Sequence, residues 1–321
     1  MEDALYGDGG YYDRSALAIG PDGDFVTGST LSPVFGQMTA GIIRRLDEAL
    51  GKRAEYLEAG YGGGQHLAAV VEALGDSDSR ELWGWDRVAR PLPEGVEDLE
   101  SLGEIGDRQL DGLVFSYELF DALPVHRLVR RGEELLELWV AQESEGFGWR
   151  EEAISDPRLE LWNDSLLEEG QIIDVTPEWE TLYRALVSRL SHGLVVTCDY
   201  GFRRRRLLDA RVRRHGTLAC YRKHRVHRNP FVDIGRQDLT AHVDFTALIE
   251  AGEDEGLETL GLFRQAEWLA AVGLLDGMES RSPEERIQVM ELMNLEGMGE
   301  EIRVLVQSRG IDPAEVLPLL A

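Results

Sequence analysis

The feature that most constrains this chain is a glycine-dense turn between two apolar segments. Ala54-Glu55-Tyr56-Leu57-Glu58 reads as a short strand, Gly60-Tyr61-Gly62-Gly63-Gly64 follows, and residues 66–74 resume apolar spacing of helical period. Glycines without a Cβ let the backbone turn sharply and approach a ligand closely. A strand, a glycine turn and a helix in succession are one unit of a mostly parallel α/β sheet. The pattern repeats along the chain. Residues 34–50 carry Val34, Phe35, Met38, Ile42, Ile43, Leu46 and Leu50 at helical spacing. Further strands are predicted at 81–86, 113–116, 193–199 and 302–306, helices at 178–191 and through most of 237–275, and an antiparallel hairpin around Glu145-Gly146 within 135–152. In such sheets ligands bind at the carboxyl ends of the strands, so the informative residues should follow them.

Three groups occupy those positions. A dinucleotide fingerprint G-x-G-x-x-G counted from Gly60 needs a glycine at 65, where this chain has Gln65. Glu58 before a G-x-G-x-G run instead looks like the S-adenosylmethionine (SAM) turn of class I methyltransferases; a plain glycine turn is the alternative. Asp86, 26 residues after Gly60, ends the next strand and can accept hydrogen bonds from both ribose hydroxyls, or lie on the surface as one acid among many. After the third strand comes Ser116-Tyr117-Glu118-Leu119-Phe120-Asp121-Ala122-Leu123-Pro124-Val125-His126. Two carboxylates beside apolar neighbours are costly unless paired, and either could hold a cation. For Asp121 the competing role is at the N-terminus of a following helix.

Glu118 to His126 resembles the "EFFDALPVH" signature of the MidA-like methyltransferases, a family that includes a mitochondrial complex I assembly factor methylating an arginine. Gly10-Tyr11-Tyr12, Gly23-Asp24-Phe25-Val26-Thr27 and Phe35-Gly36 are similar to its N-terminal motifs. Asp199-Tyr200-Gly201, Gly216-Thr217-Leu218 with Tyr221, His224-Arg225 and His227, Gln237 to Phe245, and Met298-Gly299-Glu300 with Val304-Leu305 follow its later pattern. The resemblance spans about residues 5–307. It departs at Tyr61 and Gly63, where the family's turn has proline and arginine, at Tyr117, where it has asparagine, and at Thr30, where it has glutamate. Residue 117 and the N-terminal segment are expected to face the substrate.

The resemblance implies a class I methyltransferase fold, Rossmann-like, with a seven-stranded, mostly parallel sheet and inserted lid and hairpin elements. The expected organisation is an N-terminal lid and helix over 1–50, a SAM-binding core with a hairpin insertion over 51–202, a basic and helical insertion over 203–285, and a return to the sheet over 286–321. SAM is the implied cofactor, bound by Glu58, Gly60, Gly62, Gly64, Asp86, Ser116 and Thr27. Glu118 and Asp121 are the catalytic candidates. The implied acceptor is an arginine of a basic protein or peptide. A small-molecule acceptor, or a binding protein that keeps the fold with weak turnover, are the alternatives.

Composition limits the partners. The chain of 321 residues has 33 Lys+Arg against 60 Asp+Glu, a net charge of −27, which argues against general nucleic-acid or anionic-lipid binding. The exception is residues 203–228, with eleven Lys+Arg and one acid, Asp209. No aromatic platform interleaves with the arginines, so the segment is expected to dock on the acidic body as a lid. His215, His224, His227 and His242 lack zinc-ligand spacing, and no metal is expected. Cys198 and Cys220 read as reduced thiols. An acidic start at Met1-Glu2-Asp3 and the absence of a long apolar run imply neither export nor membrane insertion, hence a cytoplasmic protein. The oligomeric state is left open.

Overall fold

A computed structural model of the chain describes residues 1–13, 33–75, 79–99, 101–102, 109–144 and 146–317. The chain divides into two units, a larger one from Ser15–Leu119, Leu182–Asp199 and Ile249–Ala321, and a smaller one from Met1–Arg14, Phe120–Thr181 and Tyr200–Leu248.

Among the described residues, the larger unit has seven strands: β1 (Glu55–Ala59), β2 (Leu82–Trp85), β3 (Glu97–Leu99), β4 (Leu110–Tyr117), β5 (Leu190–Phe202, of which Leu190–Asp199 belongs here), β6 (Glu258–Arg264) and β7 (Ile302–Arg309). Their spatial order is β3-β2-β1-β4-β5-β7-β6. The first five follow the doubly wound order, which reverses between β1 and β4. β7 inserts beside β5 and runs antiparallel to β6. Tyr56, Leu57, Val114, Phe115, Val195 and Val196 are buried, as expected where both faces of parallel strands are covered. Helix α1 (Pro33–Leu50) precedes β1 and buries Val34, Phe35, Ile42, Ile43 and Leu46 along one face. Helix α2 (Gln65–Leu74) links the glycine turn to β2, and helices α3 (Gln265–Ala271) and α4 (Pro283–Leu292) lie between β6 and β7.

Register decides where the strands end. Ala59 is level with Trp85 on β2 and with Ser116 on β4, and Tyr117 is level with Cys198 on β5. Gly60, Asp86, Glu118 and Asp199 therefore emerge at one edge, at the carboxyl ends of four neighbouring parallel strands.

Two expectations are corrected here. Residues 237–275 are not mainly helical: they contain the strands Asp238–Thr240 and Val243–Asp244 as well as β6. Glu258-Thr259-Leu260-Gly261-Leu262-Phe263-Arg264 has no clean alternation, and its register shifts at Thr259/Gly261, where glycine accommodates a bulge. Its pairing with β7, far along the chain, makes it a strand. Tyr117 does not face a ligand. Its ring is buried edge-on to Phe35, 5.4 Å between centroids, and its hydroxyl donates to Gln265 Oε1 at 2.7 Å. The family's asparagine could not span that distance, so the larger residue ties β4 to α3. Tyr117→Phe strands a fully buried amide oxygen and is expected to cost about 1–3 kcal/mol in urea unfolding with unchanged SAM affinity. Weaker SAM binding at unchanged stability would put Tyr117 back at the ligand.

The smaller unit holds a four-stranded antiparallel sheet ordered Gly146–Glu152, Glu134–Glu143, His126–Arg131, Ile172–Val175, which includes the expected hairpin. A three-stranded sheet has Ala219–Arg222 between Arg225–His227 and Asp238–Thr240. The basic segment lies here. Arg204 pairs with Asp244 at 2.7 Å, Arg211 with Asp209 at 2.7 Å, Arg214 with Glu168 at 2.6 Å, and Arg222 with Asp233, while Arg206 and Arg213 stack on the Phe202 ring. Local acids and one aromatic face take up much of the charge that stands out in the sequence. Both cysteines are free and buried; burial pushes the Cys220 thiol up to about 11 and the Cys198 thiol well above its usual range, so neither is a ready nucleophile. Among the described residues, no helix is long and apolar enough to cross a membrane, and no cluster of His, Cys, Asp or Glu could hold a metal.

Candidate active site

In the larger unit the turn after β1 has Gly60 at φ +75°, Gly62 at φ +54° and Gly64 at φ +76°, the left-handed region that favours glycine. At Gly60 space is also limiting: a Cβ there would lie 2.9 Å from Leu119 Cδ1, so the turns after β1 and β4 touch. Gly60 donates its N–H to Trp85 O at 2.7 Å, and Gly62 donates to Asp86 Oδ2 at 2.8 Å. Asp86 Oδ1 accepts from the Val88 amide at 3.0 Å, and Arg90 Nη1 lies 3.9 Å from it. Burial pushes the Asp86 carboxyl above the usual carboxylate range, against the pull of the Val88 and Gly62 amides.

Glu58 turns inward. Its Oε2 accepts from the Tyr56 hydroxyl at 2.8 Å and meets His66 Nδ1 at 2.9 Å. His66 Nε2 is 3.2 Å from Thr39 Oγ1, whose own proton goes to Phe35 O. Glu58 thereby anchors the first turn of α2 beneath the glycine loop. Neither His66 nor Thr39 is signalled by a motif; the pairing of Glu58 with a histidine eight residues on is tertiary.

At the end of β4, Ser116 is buried and its hydroxyl lies 3.4 Å from Thr197 Oγ1 on β5. Glu118 has φ +50°, one of four described non-glycine residues at positive φ. Such a backbone costs about 1–2 kcal/mol and persists only where neighbours hold it. The neighbours are identifiable: Glu118 N–H donates to Cys198 O at 2.9 Å, and Leu119 N–H donates to Asp199 Oδ2 at 3.1 Å. Asp199 is fully buried, which makes it the support of this turn.

Asp121 belongs to the smaller unit. No helix follows it: residues 121–123 form a turn that leads to the strand His126–Arg131. The helix-terminus role is therefore corrected, because Pro124 and the pairing of the next segment in a sheet leave no room for one. The turn is held at three successive carbonyls. Phe120 O accepts from Trp179 Nε1 at 2.9 Å, Asp121 O from the Ala241 amide at 3.0 Å, and Ala122 O from the Tyr6 hydroxyl at 3.1 Å. Tyr6 stacks on Tyr12 at 5.3 Å, and Tyr12 donates to Asp238 Oδ1 at 2.9 Å. Burial first, then the Asp238 and Asp121 charges, pushes the Tyr12 phenol up. Motifs near residues 12, 121 and 238 thus converge on one turn with two buried carboxylates, Asp121 and Asp238. Thr27 lies outside the described residues.

A family model described as an S-adenosyl-L-methionine-dependent methyltransferase matches residues 86–263, more than half of the chain. The chain belongs to the MidA-like family of SAM-dependent methyltransferases. It is 23% identical to the mitochondrial protein arginine methyltransferase NDUFAF7 of Danio rerio, over 92% of this chain and 78% of that protein. The NDUFAF7 of Xenopus tropicalis is also 23% identical, over 94% and 79%. A crystal structure of a COG1565-superfamily protein from Burkholderia thailandensis, bound to S-adenosyl-homocysteine, superposes with a TM-score of 0.87 at 29% identity, covering 97% of this chain and 87% of that one.

SAM is the cofactor of this methyltransferase family, and the turn fits it. The Gly62, Val88 and Arg87 amides donate to Asp86, which keeps acceptor capacity toward a ribose, and the positive-φ glycines leave the turn without side chains over the backbone. Asp86→Ala is expected to weaken SAM binding by about 1–3 kcal/mol in calorimetry. Affinity should also fall on acidification. A protonated Asp86 loses acceptors, and its raised pKa brings the loss at a higher pH than for an ordinary aspartate. Titrations from about pH 7 down to about pH 4 check this, and a pH-independent affinity would remove Asp86 from the ribose.

Proposed function

We propose that this methyltransferase acts on a guanidinium nitrogen of an arginine in a protein or peptide, with Glu118 orienting the acceptor. The observation that carries this reading is Glu118 itself, a carboxylate held in a strained backbone conformation at the point where the strand order reverses. Strain of this kind collects at functional sites. The similarity to arginine methyltransferases supports the same acceptor.

When bound, the cofactor supplies an electrophilic methyl group on a sulfonium. The chain's part is alignment and exclusion of water. A guanidinium keeps its proton, with a pKa above ~12, so the protein must orient it and draw charge onto the nitrogens that do not react. Carboxylates do this through bidentate hydrogen bonds. Glu118 takes that role. Gly60, Gly62, Gly64 and Asp86 hold the cofactor, Glu58 anchors the helix beneath the glycine turn through His66, Ser116 lies at the end of β4, and Asp199 positions the Glu118 turn.

The test is incubation with isotopically labelled SAM and cell extract, followed by mass spectrometry of proteins and metabolites. Label recovered as methylarginine in a protein is the expected result. Label confined to a metabolite would replace this reading with the small-molecule one.

A further inference from the structure

We propose that a cavity between α1 and the turn after α3 binds a small organic anion, a carboxylate on a short apolar chain. The cavity has a volume of about 290 Å³. That is roughly ten times the volume of one water in the liquid and the lower end of the range for small-molecule sites. On the α1 side Val34, Met38, Gly41 and Arg45 follow one another at helical spacing; Val272, Leu274 and Arg281 close the other side. Gln37 also lines it, so the lining is largely aliphatic with one side-chain amide and two guanidinium groups.

The chain carries 60 acids, and arginines such as Arg80, Arg127 and Arg204 pair directly with one. Arg45 and Arg281 have no carboxylate within ion-pair distance among the described residues. Arg45 Nη2 donates only to Val272 O, at 3.3 Å, and Arg281 Nη1 touches Met278 Sδ at 4.0 Å. Asp276 acts on Arg45 and Glu285 on Arg281, both from beyond contact distance, and burial pulls the Arg45 guanidinium below its ordinary range. A guanidinium stays charged in a protein, so a partly desolvated one without a counter-ion in contact can still take an anion. In a protein of net charge −27, the general field repels anions, and only a site that concentrates arginine can attract one. The two guanidiniums suit a carboxylate, and Val34, Met38, Val272 and Leu274 suit a short chain attached to it.

Gly41 makes the site testable without touching its charge. A Cβ on Gly41 would meet nothing within 4 Å, so a leucine there can occupy the cavity while α1 stays intact. The experiment is calorimetric titration of the full-length protein with hexanoate, with hexan-1-ol and inorganic phosphate as comparison probes. The variants are Gly41→Leu and Arg45→Gln/Arg281→Gln, with Arg281→Gln alone as the milder form, and SAM affinity is the check on folding. The expected result is saturable hexanoate binding to the unmodified protein, at least tenfold weaker in the double arginine variant, weakened in Arg281→Gln, and lost in Gly41→Leu. Hexan-1-ol should bind at least tenfold more weakly than hexanoate. Absence of hexanoate binding, or equal binding to the variants, overturns the proposal. Phosphate binding as tightly as hexanoate overturns it too, in favour of a purely inorganic anion site.

Discussion

Glu118→Gln is expected to lower methyl transfer by about 10²-fold or more while leaving SAM affinity nearly unchanged. The substitution keeps size and hydrogen-bonding reach and removes the charge, so it acts where a cationic acceptor is oriented rather than where the cofactor is held. The measurement is turnover on an acceptor found in extract with labelled SAM, beside calorimetry of SAM. Full turnover in the variant would exclude a carboxylate clamp and favour a neutral nucleophile. A companion variant separates strain from charge. Glu118→Gly relieves the φ of +50° and should raise stability by about 1 kcal/mol, while losing turnover as Glu118→Gln does. A destabilised glycine variant would mean that the side chain, and not the function, holds the turn in place.

Gly62→Val is expected to abolish SAM binding. Gly62 has φ +54°, and its amide donates to Asp86 at 2.8 Å. A β-branched residue is strongly disfavoured at that φ. The turn would have to change conformation, lose its bond to Asp86 and bring a side chain over the backbone that faces the cofactor. The loss in calorimetry should exceed that of Asp86→Ala, because it removes the turn rather than one acceptor. The seven-stranded core is expected to remain folded, as circular dichroism can check. Unchanged affinity would place the cofactor elsewhere.

The parts of this site that were legible in the sequence are those whose chemistry is local. Glycines at 60, 62 and 64 report their own backbone requirement, and Asp86 reports its place at the next strand end. The bond from the Gly62 amide to Asp86 joins two groups that sequence spacing had already paired. What depends on distant partners was not legible. Glu58 looks like a ligand contact until His66 and Tyr56 are seen to share its oxygen. Tyr117 looks like a change in the substrate site until Gln265, 148 residues away, is found at its hydroxyl. Asp121 looks like a helix cap because acids favour helix starts, yet contacts from Trp179, Ala241 and Tyr6 hold a turn instead. β6 was hidden for the same reason, its strand character coming from β7 rather than from its own alternation.

The most direct measurement is a crystal structure with S-adenosyl-homocysteine. The nucleoside is expected against Gly60–Gly64, with both ribose hydroxyls within hydrogen-bond distance of Asp86 and the thioether sulfur directed toward Glu118 at the end of β4. Occupancy at another place, or a ribose that makes no contact with Asp86, would contradict this placement.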